Sequence, residues 1–380
     1  MWESPNYSLQ AIYLHIPFCL QKCAYCDFYS TTQFSAELME RYVFVMRQLL
    51  REKADYFRDS QIRSVFFGGG TPSLLSERQV ASVLATIRSE YSLSEDAEIS
   101  LEVNPATLTP NKVLGYQMSG VNRISLGAQS FQAEELKTLG RVHTVKQIEE
   151  TVNMVRRAGI TNLNLDLIYG IPGQSIRSWR QNLAQAVACE VDHLSLYLLQ
   201  LEAEVPLARC LAQGELLAMD EESEVLLYET ALDDLSSQGY TQYEISNFAR
   251  DGKECRHNLT YWQADPYLGI GAGAVSFIDN TRVMMHSSLE QFLTQEAQNE
   301  ILEEMNSNDL MLDALILGLR LNRGVNIIEL AGRFSCKEIE NFRSKFTLLA
   351  EQGLVEVNWP QVVLSRKGLF LSNMVFRHLL

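Results

Sequence analysis

Three cysteines, Cys19, Cys23 and Cys26, stand at spacings of four and three residues in CLQKCAYC, directly after the strand-like run YLHIPF. Asp27 and Phe28 follow, and no fourth cysteine lies nearby. Thiolates are metal ligands, so this spacing points to a metal or a cluster. A structural zinc needs four closed ligands. His15 with the three cysteines would supply them, although His15 falls in the strand-like run, where the sheet sets its direction. The other reading is an iron–sulfur cubane, which usually takes four thiolates. With three, one iron keeps a position that a small chelating molecule can take. Cys189, Cys210, Cys255 and Cys336 are scattered. An odd number of cysteines with one tight group suits a reducing compartment better than a disulfide framework.

The elements that position this loop follow from hydrophobic periodicity. Short apolar, β-branched runs recur at 13–17, 64–70, 98–105, 123–130, 162–170 and 193–201. Helical patterns lie between them. Leu38, Tyr42, Val45 and Leu49 mark one face of the first. Ser76 and Gln79 form a capping box ahead of the second, and Gly159 ends a later one. Six strands alternating with helices predict an α/β fold with a parallel sheet. Several strands end in polar residues, Glu102, Gln129 and Asp166, as they do around the mouth of an α/β barrel. Six units instead of eight leave such a barrel open on one side. From about residue 300 the pattern becomes three helices, a hairpin at LVEVNWPQVVLS and a last helix, which predicts a small C-terminal, winged-helix-like helical domain.

Other residues could serve a ligand beside the cysteines. Gly68-Gly69-Gly70-Thr71-Pro72 ends the second strand, and glycines let a backbone approach a ligand closely. Glu102, Gln129, Arg141 and Asp166 come from successive units. Together they could satisfy ribose hydroxyls, an ammonium and a carboxylate, because carboxylates accept from hydroxyls and arginine forks a carboxylate. His257 sits in CRHNLTYW beside Tyr261 and Trp262. It reads either as a structural histidine between barrel and C-terminal domain or as an axial haem ligand. Cys255 is a further iron-ligand candidate. GIGAGA at 269–274 lacks the dinucleotide spacing and reads as close backbone packing.

Cys-x3-Cys-x2-Cys on a loop after a first strand resembles the radical S-adenosylmethionine (SAM) superfamily. The resemblance implies a partial (β/α)6 barrel and a [4Fe–4S] cluster on Cys19, Cys23 and Cys26. SAM would chelate the open iron, where electron transfer from the cluster splits its sulfonium. It also implies that Gly69, Gly70 and Thr71 lie along the SAM amino group. Tyr13, EVNP at Glu102, GAQS at Gln129, LGRVH at Arg141 and LDLIYG at Asp166 match the SAM contacts of the porphyrin-related branch, in order, across residues 13–170. That branch holds an oxygen-independent coproporphyrinogen III oxidase, which decarboxylates propionates, and a haem chaperone. The oxidase pattern has a cysteine where this chain has Phe28, and a longer segment ahead of its motif. HIPFCxxKCxYCDF, HNLTYW and YLGIGAGAVSF resemble the chaperone, which implies haem as cargo and apo-haemoproteins as recipients. The oxidase is the alternative, and a homodimer is left open. The expected division is a core barrel over 1–245, a connecting segment over 246–300 and the C-terminal domain over 301–380.

Composition bounds the rest. The chain has 380 residues, 46% hydrophobic and 21% charged, with a net charge of -15. Such an acid balance opposes binding to a nucleic-acid backbone. MWESPNYSLQ lacks the basic and apolar regions of a signal peptide, and no run of about 18 apolar residues predicts a membrane span. The expectation is a cytoplasmic protein.

Overall fold

The computed structural model describes residues 8–285, 288–295, 299–336 and 339–380, so residues 1–7 of the stretch read for a targeting signal lie outside it. The six expected strands form the centre of the molecule. They are β1 (Ala11–Ile16), β2 (Gln61–Gly69), β3 (Ser92–Val103), β4 (Arg123–Gln129), β5 (Asn162–Tyr169) and β6 (His193–Leu198). They pair in sequence order, each parallel to the next. One cavity is lined by residues from all six, so the sheet wraps around it as a partial (β/α)6 barrel.

The helices between the strands form for local reasons. The helix Ala36–Ala54 is capped by Ser35 and buries Tyr42, Val45 and Leu49, while Leu38 is half-buried. The capping box of Ser76 and Gln79 is present at Glu77–Glu90, and similar boxes start Val145–Arg157 and Ile176–Ala188. Each side chain satisfies a backbone N–H that the first helical turn leaves unpaired. Gly159 follows the helix Val145–Arg157 with φ 86°, a left-handed geometry that costs a glycine little. The apolar faces meet the sheet in one continuous core from Leu9 to Phe292.

Both edges of the barrel are extended. At one, β7 (Thr241–Glu244) and β8 (Asn247–Ala249) add antiparallel strands beyond β6. At the other, β9 (Tyr267–Ile270) pairs parallel with β1. Then β10 (Ala274–Ile278), β11 (Thr281–Met285) and β12 (Glu300–Glu304) continue antiparallel. Residues 246–300, expected to connect two domains, thus place most of their regular structure in the barrel's own sheet. The glycines of GIGAGA make this possible. A Cβ on Gly269 would collide with the Val275 carbonyl, and one on Gly271 with the His15 carbonyl.

The C-terminal part has its own core, including Met311, Leu315, Phe346 and Val362. Its hairpin, β14 (Val355–Asn358) and β15 (Gln361–Leu364), takes β13 (Val325–Asn326) as a third strand. Helices and a three-stranded wing are the expected winged-helix-like pattern. Among the described residues no helix is long and apolar enough to cross a membrane.

Candidate functional site

The cavity has a volume of about 510 Å³, within the usual range for small-molecule sites. Cys19, Cys23 and Cys26 line it, as do Tyr13, Gly69, Gly70, Thr71, Glu102, Gln129, Arg141, Asp166 and His257. The residues singled out from sequence therefore meet in one place. Phe28 stands at the rim and is 63% exposed.

The cysteine loop is seated on the end of β2. The Thr71 hydroxyl donates to Cys19 Sγ at 3.5 Å. A Cβ on Gly70 would stand 3.0 Å from that sulfur and 2.9 Å from the Ile16 and Phe18 carbonyls. Arg141 donates to Cys23 Sγ at 3.4 Å and to the Gly127 carbonyl at 2.8 Å. Its Nε is buried without a partner among the described residues. Burial raises the Cys19 and Cys26 thiols above the ordinary range. His15 is not the fourth ligand of a zinc site. Its Nδ1 pairs with the Tyr13 hydroxyl at 3.1 Å and its Nε2 with the Tyr29 carbonyl at 2.9 Å. Three thiols on one loop, a glycine backbone cut to fit beside them and an arginine facing the sulfurs fit a cluster with three protein ligands.

Next to the loop are two half-buried carboxylates. Glu102 accepts from the Gly69 N–H at 3.1 Å. Burial, with Asp166 nearby, pushes it up to about 8. Asp166 accepts from Ser125 at 3.1 Å and from Asn164 at 2.8 Å. It too is raised by burial, against these bonds and the charge of Arg123. Gln129 ends β4 with φ 65°, an uncommon conformation for a residue with a side chain. It lines the cavity from that position. Carboxylate acceptors, an amide and a guanidinium around one cavity can hold a ligand with hydroxyls, an ammonium and a carboxylate.

His257 is held more tightly than an available ligand would be. It is 1% exposed. Its Nδ1 pairs with Ser64 at 2.9 Å and its Nε2 with the Tyr261 hydroxyl at 2.8 Å. Phe66 stacks on it with ring centroids 5.0 Å apart. Burial lowers it to about 3, with the Arg123 charge adding to the shift. Both ring nitrogens are engaged, so binding to an iron requires one of these bonds to break. Cys255 is fully buried, donates to Glu98 at 3.4 Å, and is pushed up to about 12 by burial. A thiol so hard to ionise is a poor metal ligand. His143 pairs with the Ala128 carbonyl at 3.1 Å and does not line the cavity.

Sequence reading missed the polar interior of the barrel. Ser64, Glu98, Ser100, Arg123, Ser125, Asn164, His193 and Ser195 are all buried. Closed α/β barrels usually fill this space with branched apolar side chains. The signal was present as a period of two: Glu98, Ser100 and Glu102; Arg123 and Ser125; Asn164 and Asp166; His193 and Ser195. Alternating polar residues ordinarily mark a solvent face; here they are buried or half-buried, and Glu102, Arg123, Ser125, Asn164, Asp166 and Ser195 among them line the cavity.

Comparison with known proteins agrees with this geometry. The radical SAM superfamily profile matches residues 13–186, and the HemN C-terminal domain profile matches residues 305–371. The heme chaperone HemW of Lactococcus lactis is 32% identical over 100% of this chain and 98% of its own length. The heme chaperone HemW of Escherichia coli is 37% identical over 70% of this chain and 69% of its own. The structure of coproporphyrinogen III oxidase (HemN) from Escherichia coli superposes with a TM-score of 0.86, covering 99% of this chain and 90% of that one at 23% identity. That last likeness is one of fold. With a relative of more than 30% identity aligned from end to end, the chain belongs to the HemW heme chaperone family within the radical SAM superfamily.

Proposed function

We propose that this protein is a cytoplasmic haem chaperone that holds a [4Fe–4S] cluster, SAM and haem, and passes haem to apo-haemoproteins. One observation carries the reading: the alignment with a heme chaperone HemW over the whole of both chains. Phe28 supports it, because the oxidase pattern places a cysteine there.

Cys19, Cys23 and Cys26 would hold the cluster. When bound, the cluster supplies an iron with a free coordination position and an electron for the SAM sulfonium. The chain's own part is positioning. Gly69 and Gly70 would let backbone approach the SAM amino group, while Thr71 steadies the Cys19 sulfur and Arg141 would offer its guanidinium to the carboxylate. Glu102 and Asp166 would accept from the ribose, and Gln129 and Tyr13 would close the sides.

The test is anaerobic. The protein is loaded with iron and sulfide, given SAM, a reductant and coproporphyrinogen III, and its products are followed by mass spectrometry. The chaperone reading expects no decarboxylated porphyrin, together with stoichiometric haem binding and transfer to an apo-cytochrome. Loss of two carboxyl groups, abolished by Cys19→Ala, would make the protein an oxidase despite Phe28. Haem titration of wild type against His257→Ala decides whether that imidazole exchanges a hydrogen bond for iron.

A further inference from the structure

Arg123 lies at the start of β4, six residues before Gln129, or about 20 Å of strand at ~3.3 Å per residue. It is 2% exposed and lines the cavity. Its Nε is buried with no partner among the described residues. It forms a long ion pair with Glu98, whose Oε2 is 4.0 Å from that Nε, beyond hydrogen-bond distance.

Glu98 is already engaged. It accepts from the Arg256 N–H at 3.1 Å, the His257 N–H at 3.3 Å, the Cys255 thiol at 3.4 Å and the Ser100 hydroxyl at 3.3 Å. It therefore serves the first turn of the helix Arg256–Trp262. Asp166 is bound by Ser125 and Asn164, and Glu102 by Gly69. Each acid near Arg123 thus has donors of its own. A guanidinium carries five donors and stays charged. Its buried Nε is left without an acceptor, and a buried donor of a charged group costs more unpaired than a neutral one. Its surroundings call for an acceptor that enters through the cavity.

We propose that the floor of the barrel is a carboxylate-binding subsite built on Arg123, and that its occupant is a propionate of the haem cargo. The inference rests on the haem-chaperone reading. SAM also bears a carboxylate, but chelation to the cluster would tie it to the cysteine loop at the opposite end of β4. The neighbouring wall suits a porphyrin edge: Phe66, Tyr197, Leu198 and Tyr261 line the same cavity.

The experiment uses the cluster-loaded protein under anaerobic conditions. Haem and haem dimethyl ester are titrated separately by absorbance, with SAM binding measured in parallel. Wild type is expected to bind haem roughly tenfold tighter than the ester, the scale of one charge-assisted hydrogen bond. Arg123→Met should remove that preference while keeping ester affinity, and Arg123→Lys should restore part of it. Equal wild-type affinity for acid and ester overturns the proposal without needing any variant to fold. An Arg123→Met protein that keeps the preference but loses SAM assigns the guanidinium to SAM and also overturns it. Wild type that binds neither porphyrin removes the chaperone reading itself, a separate failure.

Discussion

At the scale of single residues, charge and burial decide behaviour. Cys19 is one of three thiols that can hold the cluster. Cys19→Ala should leave a folded chain whose iron and sulfide content falls toward zero, read by chemical analysis and by loss of visible absorbance. Glu102 gives a pH signature. Its folded value is raised from 4.5 to about 8. Below 4.5 the carboxyl is protonated in both states and changes nothing. Between 4.5 and about 8 the unfolded chain releases the proton while the folded chain keeps it, so stability falls as pH rises, and the loss is complete above 8. In cluster-free protein, Glu102→Gln should therefore melt higher than wild type at pH 8 and close to it at pH 5. Parallel melting curves for the two proteins at both pH values would rule this out. The same substitution should weaken SAM binding to loaded protein, measured by calorimetry, because an acceptor for the ribose is lost.

At the scale of elements, the end of β2 and the cysteine loop act as one piece. Gly69 has φ 109°, and a Cβ there would strike the His15 ring at 2.5 Å. Gly70 is restricted by contact instead, with the Cys19 sulfur and two carbonyls around the place of a Cβ. Gly70→Ala should displace Cys19 and lower cluster incorporation several-fold, with circular dichroism unchanged. Ser76→Ala is the matching control. It removes the capping box of the next helix and should cost about 1 kcal/mol in chemical denaturation, with normal iron content. If both variants lose iron equally, the glycine's closeness to the sulfur is not the cause.

At the scale of the whole molecule, the barrel and the C-terminal part are tied by arginines. Arg320 reaches Glu244 at 3.4 Å and lies 4.3 Å over the Trp262 ring. Glu244 is completely buried and also receives Ser246 and Asn247. Arg333 donates to the Gln263 and Ala264 carbonyls and to Asp265. Arg320→Ala leaves Glu244 buried with less compensation, and should cost about 2 kcal/mol or more in a denaturant titration. Arg58→Ala is the contrast, since its pair with Asp55 is exposed on both sides and should change stability by less than about 1 kcal/mol.

The parts whose signal is local are legible in the amino-acid order alone. Cysteine spacing, glycine runs, capping residues and the alternation of six strands with helices are written in consecutive residues, and they led to the cluster loop, the barrel and the family's motif positions. The rest depends on residues far apart in the chain. β9 joins the barrel parallel to β1, and β10 to β12 follow it antiparallel, a pairing between distant segments that no local pattern announces. His257 reads in HNLTYW as either a structural histidine or a ligand; in the fold Ser64 and Tyr261 occupy both its nitrogens, and Ser64 is 193 residues away. Arg123 carries no local signal beyond its place in the run 123–130. Its unpaired Nε shows only in the folded chain, where Glu98 serves a helix more than 150 residues later, because a hydrogen bond is satisfied in space and not in sequence.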